Sequence, residues 1–480
     1  METLQRTANR GSVSTGTYEI ANSLKNEPDN GERFDTGDKF TNYSSVRKFT
    51  VSGWFKRTEL SVQSIIWYNV NTGTSINLQF ESGDFLSILL QDNVGNGVES
   101  YAKTSALFRD TSAWYHVVLA VDTTQGTAAD RTKIYVNGVN QTLEQGNASY
   151  DTFPAQNYDV PLQTKHYLLG YDGGNNGFRG YVSEYYFLDG ITASPTDFGE
   201  TDSNSGIWIP KAYTGSFGNE GYYLDFEDAS ALGKDVSSNN QGNFSHYGGS
   251  AADQATDTPT NNFCIINPLF TYPSSQVISE GGTKVARSSG SGLNKTFLGT
   301  IPVNGGKWYA EFEPIESNSN YVPGVVDTTD ASTVELDGNH IGNSTGIPKS
   351  IGYYSATGGV LAGSNAANGA WGDTFTADDI IGVALDMDNR KVYFSKNGTF
   401  QNSSDPTNGT NAITLTNTTD PYLFGFTYDT SGNMYCNFGG YTVSSLSSSA
   451  SDENGYGSFE YAPPSGYLAL CTKNLATTGG

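Results

Sequence analysis

Basic residues are scarce in this chain of 480 residues, which carries 26 Lys and Arg against 50 Asp and Glu. The formal net charge is -24, and the acidic residues are spread along the chain rather than gathered in one tail. A surface of this charge repels phosphate backbones and anionic lipids. We therefore expect no nucleic-acid partner.

Long apolar runs are also missing. No stretch approaches the roughly 20 apolar residues that a membrane-spanning helix requires. The opening segment METLQRTANRGS lacks the apolar core of a signal peptide. From these two features we expect that the protein is made in a cytoplasm and does not insert into a membrane.

Cysteine occurs at three positions, Cys264, Cys436 and Cys471. An odd number cannot pair completely within one chain, and the CxxC spacing typical of a zinc site is absent. The four histidines are scattered, and their positions pair none of them with a Ser or Cys nucleophile. His116 alternates with Val117 on a predicted strand, so we interpret it as a packing residue. We expect no metal and no cofactor.

Glycine, tyrosine and phenylalanine are abundant, at 56, 30 and 25 residues. Aromatic and β-branched residues fit pleated sheets, and Gly and Asn allow the left-handed conformations of tight turns. From Phe49 onward, short apolar runs such as FTVSGWFKR and WYHVVLAVD alternate with Gly-, Asn- and Ser-rich clusters. The sequence therefore predicts an all-β fold.

Two segments in different halves of the chain share one plan. Residues 114–138 and 379–398 each hold an apolar strand, an acidic turn, a second strand and a closing Asn-Gly, which permits a tight hairpin turn. Two sandwiches of related design are thus predicted. Their inward residues on the second strands, by period two, are Ile134, Val136, Val392 and Phe394.

Composition divides the chain into five predicted segments. The N-terminal stretch is polar and lacks a period, the central stretch is too aromatic for a free tether, and SSLSSSASDENGYGS near the end is low in complexity. The closing YAPPSGYLALCTKNL is apolar enough to dock on the second sandwich. The predicted segments are an arm at 1–30, a sandwich at 31–199, an ordered bridge at 200–290, a sandwich at 291–440 and a loop with C-terminal segment at 441–480.

Several motifs carry a resemblance to known families. Trp114, His116, the YVNG at 135–138 and the GYVSE at 180–184 follow the pattern of laminin G-like domains. GKWYAEFE at 306–313, IGYYS at 351–355 and the segment 379–400 are similar to a SPRY domain. The resemblance implies two antiparallel concanavalin A-like jelly-roll sandwiches.

The amino-acid sequence also resembles structural proteins of marine tailed phages. Four segments occur here in the same order as similar segments in those phage proteins: FRDTSAWYH, ASPTDFGETD, GYYLDF and TDTPTNNF. The resemblance implies location in the virion after synthesis in the host cytoplasm, other virion proteins as partners, and a homo-oligomer in the particle. A fibre, decoration or tail component that binds host surface glycans is our leading hypothesis. A purely structural assembly protein and a polysaccharide depolymerase are the alternatives.

Catalytic chemistry has no supporting pattern. A glucanase of this fold needs paired carboxylates, and its Glu-x-Asp-x-x-Glu pattern is absent. The nearest pairs, Glu311 with Glu313 and Asp225 with Glu227, are interpreted as exposed strand faces. Asp386, Asp388 and Asn389 resemble the start of a calcium loop, but the required Gly and Glu do not follow. A hairpin turn explains them, so calcium binding is left without support.

Two groups of residues are candidates for ligand binding. In the YDGGNNG loop, Tyr171, Asp172, Asn175 and Asn176 combine an aromatic plate with oxygen and amide groups that suit a sugar or calcium. Plain turn formation is the alternative there. In the SPRY-like part, interface-forming residue types occur at Tyr353, Tyr354 and Trp371, for which a core position is the alternative.

Overall fold

The computed structural model describes residues 18–28, 31–71, 74–92, 97–172, 176–270, 276–287, 295–317, 320–333, 340–343, 347–363, 371–428 and 432–478. These residues form β-sheets with two short α-helices. In this part of the chain, no helix is both long and apolar enough to span a membrane. Two compact units are present, residues 18–260 and residues 261–478.

The first unit is built from short antiparallel strands, with 3-10 turns at Ala128–Asp130, Pro195–Asp197, Ala229–Ala231 and Ala251–Asp253. Its strands are β1 Ser23–Asn26, β2 Arg33–Asp35, β3 Lys48–Arg57, β4 Ser64–Asn71, β5 Thr74–Phe80, β6 Leu86–Asp92, β7 Gly97–Thr104, β8 Tyr115–Asp122, β9 Thr132–Val136, β10 Val139–Asn140, β11 Leu143–Gln145, β12 His166–Leu168, β13 Gly180–Asp189, β14 Gly199–Thr201, β15 Trp208–Pro210, β16 Tyr222–Leu224, β17 Ser245–Tyr247 and β18 Gln254–Ala255.

Two eight-stranded sheets contain most of these strands. Sheet 1A has the order β10-β9-β8-β3-β13-β1-β18, with β16 also paired to β13, and sheet 1B has the order β11-β7-β6-β5-β4-β12-β2-β17. Apolar side chains from both sheets, such as Phe49 and Leu119 of 1A and Trp67 and Leu78 of 1B, pack into one core. This arrangement is the antiparallel sandwich that the alternating pattern predicts.

The boundaries of the first unit differ from the predicted ones. β1 lies in the segment predicted as a polar arm, yet its Leu24 is fully buried and the strand pairs with both β13 and β18. Strands β15 to β18 lie in the predicted bridge, where Tyr222, Leu224 and Phe244 join the core. The bridge prediction is therefore wrong up to residue 260, because these aromatic side chains complete the first sandwich.

The second unit has the same general plan, with α-helices α1 Thr328–Thr333 and α2 Thr472–Thr478 and 3-10 turns at Pro268–Phe270, Glu280–Gly282 and Gln401–Ser403. Its strands are β19 Gln276–Ser279, β20 Lys284–Arg287, β21 Lys295–Leu298, β22 Lys307–Pro314, β23 Tyr321–Asp327, β24 Ile351–Tyr354, β25 Gly359–Ala362, β26 Ile381–Asp386, β27 Lys391–Lys396, β28 Thr399–Phe400, β29 Ile413–Thr414, β30 Tyr422–Tyr428, β31 Asn433–Asn437 and β32 Leu468–Ala469.

Two sheets also make up this unit. Sheet 2A has the order β19-β20-β31-β22-β26-β27-β28, with β29 on β27 and β32 on β22, and sheet 2B has the order β21-β30-β23-β24-β25. The C-terminal segment docks on sheet 2A, where β32 runs parallel to β22 and Leu470 is buried in the core. Its apolar composition predicts this docking.

The two hairpins of shared plan form as expected. Ile134 and Val136 face the first core, and Val392 and Phe394 face the second. Both closing turns use left-handed backbone, with φ of 49° and 78° at Asn137 and Gly138. Asp386 pairs with Lys391 across the hairpin, as the turn interpretation of this acidic segment requires. The all-β prediction is confirmed.

Candidate functional site

One row of side chains crosses the outward face of sheet 1B. Backbone register places Tyr167 opposite Tyr68, and Tyr68 opposite Asn77. The same register continues from Asn77 to Leu89 and from Leu89 to Tyr101. We call these five residues the tyrosine row. The residues that alternate with them on the same strands point into the core and include Leu168, Trp67, Ile76, Leu78, Ile88, Leu90 and Ala102.

Aromatic and charged residues extend the row at its β2–β17 end. The Arg33 guanidinium carbon lies 4.5 Å from the centre of the Tyr247 ring and 6.0 Å from that of Tyr167. Arg33 also donates to Asp172 Oδ1 at 3.0 Å. Lys165 Nζ also lies against the Tyr167 ring, 5.5 Å from its centre. With 47% of its surface exposed, Tyr247 presents an open aromatic face here.

The YDGGNNG loop meets the tyrosine row at one of its predicted residues. The Tyr171 and Tyr68 rings meet edge to face, with centres 5.2 Å apart. Asn176 has a local role instead, since its Nδ2 donates to Gln63 Oε1 at 2.8 Å. Asn175 lies outside the described residues. The structure thus brings Tyr171 and Asp172 to the outward face and leaves Asn176 as an anchor of the loop.

A ladder of polar groups runs beside the tyrosine row. Asn77 Nδ2 donates to Gln79 Oε1 at 3.3 Å, and Gln79 Nε2 donates to Glu81 Oε1 at 2.7 Å. The same Glu81 oxygen accepts from the Tyr101 hydroxyl at 2.9 Å and from Ser87 at 2.8 Å. Burial and the Glu81 charge raise the pKa of Tyr101 to about 12. Asn77 Oδ1 is buried and accepts no hydrogen bond from the described residues.

The predicted partner-binding residues of the second unit are divided between core and periphery. Tyr353 is fully buried, its hydroxyl donates to the Asp373 carbonyl, and its ring stacks on Phe394. Trp371 packs at the edge of the same core, 5.6 Å from the Tyr353 ring centre, and Tyr354 is half-buried on the opposite side of the strand. Strand alternation turns Tyr353 inward, so it occupies the core position that the sequence analysis gives as the alternative.

Glu311 is not on an exposed strand face, so that interpretation is wrong. The side chain is only 3% exposed because the C-terminal segment covers it. Its carboxylate accepts four hydrogen bonds, from Tyr461 N, Glu460 N, the Tyr309 hydroxyl and Asn437 Nδ2. Burial raises the pKa of Glu311 to about 7. With every lone pair occupied, the group fastens the C-terminal segment to β22.

The other carboxylates of the two pairs have local partners. Glu313 is half-buried and accepts from the Ser444 hydroxyl. Asp225 and Glu227 lie beyond the end of β16 rather than on a strand, and the Glu227 amide donates to Asp225 Oδ1 at 3.1 Å. This hydrogen bond closes a turn in which Phe226 has a φ of 60°. Glu311 and Glu313 line one cavity of about 10 Å³, too small for a sugar ring, and Asp225 and Glu227 line an open cleft of about 510 Å³.

His116 is a packing residue with a defined tautomer. Trp208 Nε1 lies 3.1 Å from its Nδ1, and an indole nitrogen can only donate, so Nδ1 accepts. The proton therefore resides on Nε2, which donates to Ser52 Oγ at 3.0 Å. Burial lowers the pKa of His116 to about 3. A ring that donates to the serine cannot act as its base. Local sequence pattern does not indicate Trp208, which lies 92 positions from His116.

Comparison with known proteins places the fold of the first unit. Residues 29–192 match the Laminin_G_3 family model, described as the concanavalin A-like lectin/glucanases superfamily. This range contains every residue of the tyrosine row. No curated protein matches the chain.

Two solved structures are among those to which this chain is similar. The SPRY domain of human HERC1 is 19% identical, with 36% of this chain and 96% of that chain covered and a TM-score of 0.27. The native heptameric SAP-like pentraxin from Limulus polyphemus is 15% identical, with 37% and 81% covered and a TM-score of 0.27.

Proposed function

We propose that this chain is a non-catalytic protein that binds carbohydrate along the tyrosine row of its first unit. The observation that carries the proposal is the unbroken register from Tyr167 through Tyr68 and Asn77 to Tyr101. Adjacent strands lie about 4.8 Å apart, so four steps span roughly 19 Å, enough for a short oligosaccharide.

The chemistry of the row suits a sugar chain. Aromatic faces at Tyr68 and Tyr247 offer stacking surfaces for the apolar faces of sugar rings. Between them and Tyr101 lies the half-buried side-chain amide of Asn77, a group whose nitrogen can donate to sugar hydroxyls. Arg33 adds a donor that favours an acidic sugar, although its charge is shared with Asp172.

A screen of immobilised glycans tests this proposal. The full chain is expected to bind at least one polysaccharide class, and Tyr68→Ala is expected to weaken that binding by about tenfold or more. Tyr435→Ala serves as the control, because that tyrosine is also partly buried but belongs to the second unit. Equal loss in both variants would point to unfolding rather than to the row.

A virion appendage role, as a fibre, decoration or tail component, is the finer form of the proposal. This role is supported by the resemblance of several sequence segments to those of phage structural proteins. Labelling the chain on intact particles tests it, together with the partners and homo-oligomer that this role implies. Location inside the particle, away from the host-facing surface, would favour the purely structural alternative.

The absence of catalysis is part of the proposal and is supported by the occupied lone pairs of Glu311. Incubation with host polysaccharide should release no reducing ends. Release that is lost in Glu313→Gln or Asp225→Asn would establish the depolymerase alternative.

A further inference from the structure

Three side chains of metal-ligand type converge in the first unit from distant parts of the sequence. Glu32 precedes β2, His246 lies on β17, and Asp253 ends a 3-10 turn. One ligand atom of each lies within 4.8 Å of the others, and Glu32 Oε1 is 3.1 Å from His246 Nε2. The Lys25 ammonium enters the same cluster, 2.8 Å from Asp253 Oδ1 and 4.0 Å from Glu32 Oε2.

Each carboxylate keeps one oxygen on a backbone amide and turns the other into the cluster. Glu32 Oε2 accepts from Glu27 N at 2.7 Å, while its Oε1 faces His246. Asp253 Oδ2 accepts from Ser250 N at 2.6 Å, while its Oδ1 faces Lys25. Such outer contacts fix carboxylate ligands before a metal arrives.

The imidazole is also held in place. Its ring stacks on Phe34, with centres 4.4 Å apart and 14° between the planes. A side chain at position 249 would put its Cβ 2.0 Å from the ring Nε2, so Gly249 is what permits this orientation. A cleft of about 350 Å³, lined partly by His246, Ser245 and Ser250, opens beside the ring.

We infer that Glu32, His246 and Asp253 form a divalent transition-metal site, in which the Lys25 ammonium is the competing cation. One imidazole and two carboxylates suit Zn²⁺, Co²⁺ or Mn²⁺, whereas the nitrogen ligand disfavours Ca²⁺ and Mg²⁺. Water from the cleft would complete the coordination. The inference is independent of the tyrosine row and of carbohydrate binding.

Charge determines how the two cations exchange. Two carboxylates and one ammonium leave the cluster with one negative charge beside the imidazole. Entry of a divalent ion reverses that sign while the ammonium remains, so the ion must displace Lys25 from the carboxylates. Removing the ammonium should therefore tighten binding.

Titration of the full chain with Zn²⁺, and with Co²⁺ for its visible spectrum, tests the inference. We expect one ion per chain, a loss of binding in His246→Gln and a loss of about tenfold or more in Asp253→Asn. Lys25→Met should bind more tightly than the wild type. Asp130→Asn, a change at an exposed carboxylate paired with Lys133, should leave binding unchanged.

Equal stoichiometry and affinity in the wild type and His246→Gln would overturn the inference, as would a lack of Zn²⁺ binding by both the wild type and Lys25→Met. Circular dichroism should first show that each variant is folded. If Lys25→Met does not fold, the comparison of the wild type with His246→Gln decides the question.

Discussion

Tyr68 and Tyr171 meet edge to face, with ring centres 5.2 Å apart, and this contact couples the loop after β12 to the outward face of sheet 1B. Tyr171→Ala should weaken glycan binding several-fold, because the Tyr68 ring loses the neighbour that orients it. The thermal unfolding midpoint should stay near that of the wild type, since Tyr171 lies outside the core cluster. Affinity and unfolding are measured on the same preparation. Unchanged affinity would show that the Tyr68 ring does not depend on Tyr171 for its orientation.

Deletion of residues 1–30 should destabilise the first unit, because it removes β1 from its place between β13 and β18. Burial of Leu24 alone is worth about 2 kcal/mol. Deletion of residues 1–17 keeps β1 and is the matched control. Limited proteolysis should show early cleavage in the longer deletion only, and equal resistance in both would contradict the place of β1 in the sheet.

The second unit should become more stable as pH falls from about 7 toward 5. Burial raises the pKa of Glu311 to about 7 from 4.5, so the folded state binds more protons than the unfolded state between these values. Glu311 contributes at most about 3 kcal/mol to this trend. Glu311→Gln should flatten the dependence of unfolding free energy on pH. The pKa values of Glu313 and Asp330 are raised as well, so some slope remains. An unchanged slope would refute the assignment.

Trp208→Phe should lower the unfolding free energy of the first unit by about 1–3 kcal/mol, because it leaves the buried Nδ1 of His116 without a donor. Denaturant unfolding followed by tyrosine fluorescence measures the change. Wild-type stability in this variant would show that the indole contributes packing alone.

Local pattern was enough to predict the all-β fold and the inward residues, because period two and Asn-Gly turns are properties of adjacent residues. It could not predict what covers a strand. Glu311 alternates correctly with Phe312, yet residues 460 and 461 bury it from more than a hundred positions away. The bridge prediction fails for the same reason, since Tyr222 and Phe244 show their aromatic character but not the core that they join.

The candidate site was only partly accessible from sequence. Tyr171 and Asp172 are candidates from sequence because a Gly- and Asn-rich loop beside an aromatic residue is a recognisable combination. Tyr68 and Tyr101 look like ordinary outward strand residues, and only the register across five strands aligns them. The cluster of Glu32, His246 and Asp253 forms no recognisable sequence motif, because its members come from three separate segments.

Calorimetric titration with oligosaccharides of increasing length, prepared from the polysaccharide that the chain binds, tests the tyrosine row most directly. We expect affinity to rise with oligosaccharide length until the sugar spans the roughly 19 Å from Tyr167 to Tyr101, and then to level off. The double variant Tyr68→Ala with Tyr101→Ala should lose the gain from length while remaining folded. Affinity that does not depend on length, or that the double variant retains in full, would contradict carbohydrate binding along this row.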